Sequence, residues 1–233
     1  MEGFGESDAE NHFVKRLLCG ALLGGVLLSA GLLGGCKACP SKVKRQAPAV
    51  VWRTLLDGHT HAGWGSADNV AGLGELRFEK PGMVFDFGDP LTIAVYTNAL
   101  PTVDYEVEIV GRKVEGADFF CGFTFPVSTN HCSLILGGWG GFVTGISSLD
   151  GLDASENETA SSMNFVDGQW YTIRQRVEAS RLQTWIDDKQ IIDVDLTNRR
   201  VEMRAGDIEA SKPFGIASYI TRAEFKAVRI RKL

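Results

Sequence analysis

The sequence has no surplus of positive charge. Against 24 Lys and Arg stand 29 Asp and Glu in 233 residues, a formal net charge of -5. No general basic surface is therefore available to follow a phosphate backbone, and nucleic acid is not expected as a partner. Helical periodicity is also lacking, since no segment after residue 50 holds a 3.6-residue apolar repeat for long. That argues against a helix bundle and for an all-β domain. Cysteine is scarce, and of the five residues only Cys121 and Cys132 fall inside the stretch that reads as folded. Their spacing lacks the close pairs, with histidines nearby, of a structural zinc site. In an oxidising compartment they either form one bridge or remain buried thiols. A hairpin turning near Ser128 sets Cys121 opposite a residue nearer Leu136 than Cys132, which weighs against the bridge.

What is present begins with a targeting segment. Lys15 and Arg16 precede an apolar, glycine-rich run over 17–33, which ends Leu33-Gly34-Gly35-Cys36. This resembles a bacterial lipoprotein signal with its lipobox: small residues let an extended backbone enter a peptidase cleft, and the Cys36 thiol would carry the diacylglycerol. The expectation is a signal peptide over 1–35, lipidation at Cys36, and a domain held in the cell envelope, at the outer membrane or periplasmic face. Residue 37 is Lys rather than Asp, which by analogy with enteric bacteria does not argue for inner-membrane retention. The alternative is an uncleaved anchor, for which a run of about 17 residues is near the lower limit. Residues 36–50 carry Lys37, Lys42, Lys44, Arg45 and two prolines with little to bury. They read as a tether, either simply solvated or drawn to anionic headgroups.

From residue 51 to 233 the chain is one domain of short strands separated by turns. Strands are expected at 91–97, 105–110, 119–125, 132–136, 142–146, 171–177, 182–186, 191–196, 214–219 and 224–230. Tyr171, Ile173 and Val177 alternate with Thr172, Arg174, Arg176 and Glu178, as a strand with one wet face should. Between Phe225 and Val228 the apolar phase slips, which predicts a bulge. The centre of the domain is 118–141, where a hairpin runs into Gly137, Gly138, Trp139, Gly140 and Gly141. Glycines there let backbone approach a ligand beside one large aromatic, so a site is expected at that turn.

A family resemblance rests on particular motifs. Leu55, Leu56, Asp57, Gly58, His59, Thr60, Gly63 and Trp64 resemble the opening of the bacterial 3-keto-disaccharide hydrolase family. So do Trp170-Tyr-Thr-Ile-Arg, Trp185-Ile-Asp-Asp-Lys, Phe214-Gly-Ile-Ala, and the close through Phe225, Val228, Arg229 and Ile230. The resemblance spans nearly all of 51–233. It implies a concanavalin A-like, LamG-like antiparallel β-sandwich, a jelly roll of two curved sheets. It also implies cleavage of 3-keto-glycosides by base-initiated elimination and hydration, with an oligosaccharide or glycoside as ligand. The alternative is a non-catalytic glycan-binding or surface-interaction lipoprotein. Two departures fall where chemistry is expected. This chain has Asp118-Phe-Phe-Cys-Gly-Phe in place of the family's Asn-Ser-Gly-Val/Ile-Phe, and Ala217-Ser-Tyr-Ile-Thr in place of Gln-Asp-His-Gly. No histidine follows Phe214, so the family's catalytic residues do not transfer position by position.

The candidate site residues come from composition and position. The loop 147–159 supplies Asp150, Asp153, Glu156 and Glu158, with Asn157 and Thr159 able to bond sugar hydroxyls. It reads as a general base drawn from Asp150, Asp153 and Glu156, as a divalent-metal site, or as a solvated loop; no other cofactor is expected. Calcium would need six or seven converging oxygens, and the spacing is not an EF-hand's. Trp139 is the expected sugar platform, with Asn157, Glu158, His131 and Trp185 as further binding candidates. Trp185 shares a strand face with Arg181, Gln183 and Asp187, and equally reads as a cover for a sheet edge. His131 by the hairpin turn also reads as an ordinary surface residue, and His59 and His61 as turn residues. Glu106 and Glu108 are about 7 Å apart on one strand face, where an outward face opposite Tyr105, Val107 and Ile109 explains them more readily than a catalytic pair. Convergence of the acidic loop with Trp139 would favour an enzyme; carboxylates splayed into solvent would favour a binding module.

Overall fold

The computed structural model describes residues 51–233. The signal peptide, Cys36 and the tether expected over 1–50 lie outside the described residues. Arg53–Leu56 (β1), Trp64–Ser66 (β2), Leu76–Glu79 (β3), Gly82–Phe85 (β4) and Leu91–Tyr96 (β5) come first. Tyr105–Gly116 (β6), Cys121–Val127 (β7), Asn130–Gly137 (β8), Val143–Ser147 (β9) and Ser161–Ser162 (β10) follow. Tyr171–Glu178 (β11), Arg181–Ile186 (β12), Lys189–Asp195 (β13), Gly215–Tyr219 (β14) and Thr221–Lys232 (β15) complete the set. They form two antiparallel sheets. The first runs β13-β12-β11-β6-β15-β4-β3, with β1 also on β15; the second runs β10-β9-β8-β7-β14-β5-β2. This is the expected all-β jelly-roll sandwich.

Alternation decides what each sheet buries. Tyr105, Val107 and Ile109 of β6, Ile173 and Val177 of β11, and Phe225, Val228 and Ile230 of β15 point inward. There they meet Phe123, Phe125, Leu134, Leu136, Ile146 and Ile216 of the second sheet. Burying each large apolar side chain contributes roughly 1.5–3 kcal/mol before the entropy of ordering is subtracted. The Tyr105 hydroxyl, buried in this layer, donates to the Pro126 carbonyl at 2.6 Å, so its polar end costs little. The matched motifs are packing features too. Asp57 accepts from the His59 and Thr60 amides at 2.8 and 2.7 Å, which closes the opening turn. Trp64 donates Nε1–H to Leu55 O at 3.0 Å and packs on Tyr96 and Phe214.

Each expected strand is present, all within three residues of their bounds except β6, which runs six residues further to Gly116, and β15 changes register between Phe225 and Ala227, where the bulge was expected. The strands β1 to β4 and β10 were not anticipated; at two to four residues they are too short to show an alternation. The β7–β8 hairpin turns at 128–129, pairing Cys121 with Leu136 and Cys132 with Phe125. The two cysteines are thus offset by four residues, about 13 Å along the strands, beyond the reach of a disulfide. Both are free thiols in the core, and burial pushes both well above the ordinary cysteine range.

The second sheet also packs something on its outer face. Leu91, Ile93, Val95 and Ala217 point outward and gather with Ala67, under Leu73, Phe119, Ile208, Ala210 and Tyr219. A 3₁₀ turn, Asp207–Ser211, lies over this small second core. It covers only part of the face. The uncovered part is the candidate site.

Candidate functional site

The site begins with the glycine turn after β8. Gly137, Trp139, Gly140 and Gly141 have φ of 78°, 50°, 82° and 98°. Glycine accepts such angles readily, whereas a tryptophan does so at a cost. Asp118, just before β7, holds the turn: its Oδ2 accepts from Gly140 N–H at 2.9 Å and its Oδ1 from Phe119 N–H at 2.8 Å. The Trp139 ring is thereby presented at the surface, 40% exposed.

Beside it lies a cleft of about 320 Å³, near the lower end of the ~300–1,000 Å³ usual for small-molecule sites. Ser133 and Ile135 of β8 and Ser147 of β9 face outward into it, with Leu91 and Tyr219 from β5 and β14. Asp118, Phe119 and Trp139 line it, as do Arg204, Asp207 and Ile208 from the segment before β14. The Ser211 hydroxyl reaches Thr124 Oγ1 at 2.6 Å, and Thr124 meets Ser133 at 2.7 Å, so the 3₁₀ turn is fastened to the sheet beneath it. The Arg204 guanidinium sits 5.4 Å from the Trp139 ring centroid and 3.1 Å from Asp153 Oδ2. Asp153 also accepts from the Ser147 and Ser148 hydroxyls, each at 3.2 Å. Asp207 is exposed at the rim and has no hydrogen-bond partner among the described residues.

The acidic loop is only partly part of this site. Asp153 adjoins the cleft through Ser147 and Arg204. Asp150 faces Arg199 and Arg200 instead, accepting from Arg200 N–H at 2.6 Å and Arg199 Nε at 2.5 Å. Glu158 pairs with the same Arg199. Those contacts hold both carboxyls below the usual range: for Asp150 the Arg200 amide and then Arg199, for Glu158 mainly Arg199. Glu156 is exposed and accepts from Asp153 N–H at 3.3 Å. Asn157 is buried, its amide nitrogen directed at the Ile146, Leu152 and Asp153 carbonyls and its oxygen accepting from Thr159 N–H. Its bonds, like those of Thr159, are spent within the loop and on Ile146 of β9. Among the described residues no three His, Cys, Asp or Glu side chains are arranged to hold a metal ion.

The Arg199 clamp carries a pH prediction. Both carboxyls have lowered folded values, so their stabilising contribution is present above the unfolded range of roughly pH 4–4.5 and fades as pH falls through the folded values. Wild type should therefore melt above Arg199→Met at pH 7, with the gap closing towards pH 3. A gap that is constant with pH in thermal unfolding would refute this.

Other expected residues lie elsewhere. Trp185 is on the outer face of the first sheet, its ring covered by Arg174 at 4.5 Å and Arg176 at 5.3 Å. It is not in the cleft with Trp139. His131, second in β8, is on the same outer face as Ser133 but does not line the cleft; burial, then nearby Lys212, lowers its pKa. Glu106 and Glu108 do face outward from the first sheet, though Glu106 is fully covered by its arginine partners. Arg204, Asp207 and Tyr219 were not anticipated. For Arg204 and Asp207 the only signal was a polar stretch between two clear strands; Tyr219 closes β14, inside the departure Ala217-Ser-Tyr-Ile-Thr.

Fold and site together define a jelly-roll domain of the carbohydrate-active class, with its cleft on one sheet. The chain belongs to the 3-keto-alpha-glucoside-1,2-lyase-like domain family, whose model matches residues 51–231. No curated protein matches it. Among solved structures it is similar to the carbohydrate-binding module CBM66 from Bacillus subtilis, at 13% identity and TM-score 0.50, covering 73% of this chain and 96% of that one. It is also similar to a putative glycosyl hydrolase from Parabacteroides distasonis, at 15% and 0.50, covering 78% and 94%. The apo Crh5 transglycosylase matches at 9% and 0.54, covering 78% and 84%. At these identities the likeness is one of fold.

Proposed function

We propose that this is an exported, lipid-anchored protein that cleaves 3-keto-glycosides in the cleft beside Trp139. The observation that carries the reading is one cleft lined by an aromatic platform, a cation, hydroxyls and a carboxylate with no hydrogen-bond partner among the described residues. A ketone at C3 of a sugar acidifies the proton on C2. Asp207 takes that proton, and the electron pair of the C2–H bond passes into an enolate whose oxygen faces Arg204. Collapse of the enolate forms the C1–C2 double bond and breaks the bond from C1 to the leaving oxygen, which Tyr219 O–H protonates. Water then adds across the double bond: its hydroxyl joins C1, the proton held by Asp207 returns to C2, and the water's other proton restores Tyr219. Trp139 stacks on the apolar face of the ring, and Asp153, through its ion pair, orients Arg204. Asp150 and Glu156 take no part in this scheme.

Binding without chemistry is the second reading. Asp118 and Asp153 are already hydrogen-bonded and Asp150 is turned to Arg199, so the acidic loop does not converge on Trp139. Incubating the purified protein with 3-keto-glycosides and their unoxidised parents separates the two. Turnover of the keto sugars alone supports the enzyme; binding of sugar with no turnover supports the module. Anchoring is tested separately: Cys36→Ser should move the protein from the membrane to the soluble fraction. Unchanged membrane association would sink lipidation.

A further inference from the structure

We infer that the cleft favours cationic sugars over neutral ones and rejects anionic ones, so that its ligands belong to the neutral or amino-sugar class. This rests on the reading of the cleft as a glycoside site. It goes beyond that reading by assigning the charge of the ligand, from an inventory of the charges around it.

Asp118 and Asp207 both line the cleft, and neither is paired with a cation among the described residues. Asp118 takes its hydrogen bonds from two backbone amides, which direct the carboxylate but leave its formal charge in place. Arg204 is the cation among the lining residues, and it already faces Asp153 at 3.1 Å. That pair is neutral as a unit. The surplus is the two aspartates, on walls otherwise made of Trp139 and uncharged groups. A ligand ammonium entering such a cleft gains attraction, whereas a uronate or sulfate meets two like charges.

The test compares four sugars that differ chiefly in charge: methyl α-glucoside, its 2-amino and 6-amino analogues, and methyl α-glucuronide. Affinities for the full-length protein in detergent are measured by calorimetry at pH 7 in low and high salt. At low salt the better amino analogue should bind about fivefold more tightly than the parent, the scale of one or two ion pairs near a surface. The glucuronide should bind more weakly than the parent, and both gaps should shrink at high salt. Asp207→Asn should reduce the amine preference, and Asp118→Asn with Asp207→Asn should bring the ratio close to one. The single asparagine oxygen at 118 can still accept from Gly140 N–H but then gives up Phe119 N–H, whereas Asp207→Asn alone leaves the Trp139 turn untouched. A glucuronide that binds as well as the parent overturns the inference, as does an amine preference that survives the double variant. Failure of all four sugars to bind overturns the charge assignment, whereas the cleft as a glycoside site stands or falls separately on turnover or binding of the 3-keto-glycosides.

Discussion

Asp207→Asn is expected to lower turnover of a 3-keto-glycoside by roughly 10²–10⁴-fold, the usual contribution of a positioned general base. Asparagine keeps the size of the side chain and removes its capacity to accept a proton, so KM should change far less than kcat. The residue is exposed at the start of the 3₁₀ turn and supports no packing, which keeps the variant foldable. Asp153→Asn is the informative contrast. It loosens Arg204 without removing the base, so a smaller loss of kcat is expected. Full turnover by Asp207→Asn in steady-state assays would eliminate it as the base and make Asp153 the next carboxylate to test.

Glu106→Ala is expected to be among the most destabilising single changes in the domain. The carboxylate is fully buried, although it stands on the outer face of β6. Arg176 of β11 and Arg231 of β15, in register on either side, close over it at 2.8 and 2.7 Å. Arg174 and Arg176 also cover Trp185, while Arg229 and Arg231 cover Trp52. Removing the carboxylate leaves two like charges abreast with nothing between them. The cost of breaking such a buried pair is about 3–5 kcal/mol, and the part-exposed arginines set the expectation near the lower figure. That is a large share of the roughly 5–15 kcal/mol that holds a domain together. Glu106→Gln, which keeps an acceptor, should lose less. Denaturant unfolding reads both, and a loss under about 1 kcal/mol for the alanine variant, the size of an average substitution, would show that the arginines find water instead.

Much of the architecture was legible because a strand's alternation is local. Tyr171 to Glu178 shows its inner and outer faces directly, and the phase slip after Phe225 is the bulge itself. Trp139 was legible for the same reason, since four glycines around one tryptophan mark a turn without any partner being known. The acidic loop shows the limit. Its composition announced carboxylates and an amide, yet Asn157 turns inward to bond Ile146, and Asp150 and Glu158 are occupied by Arg199, more than 40 residues further on. Glu106 was placed on the correct face, but its burial depends on arginines from two other strands.

The sequence by itself determined the all-β class, the face each strand turns to the core, the offset that keeps Cys121 from Cys132, and the family. These follow from residue spacing along one strand or hairpin. Only the tertiary structure decided which carboxylates stand free and which are spent, and that Ser133, Trp139, Arg204, Asp207 and Tyr219 share a cleft. An ion pair or a cleft wall joins segments far apart in the chain, and no local pattern records which distant side chain will arrive.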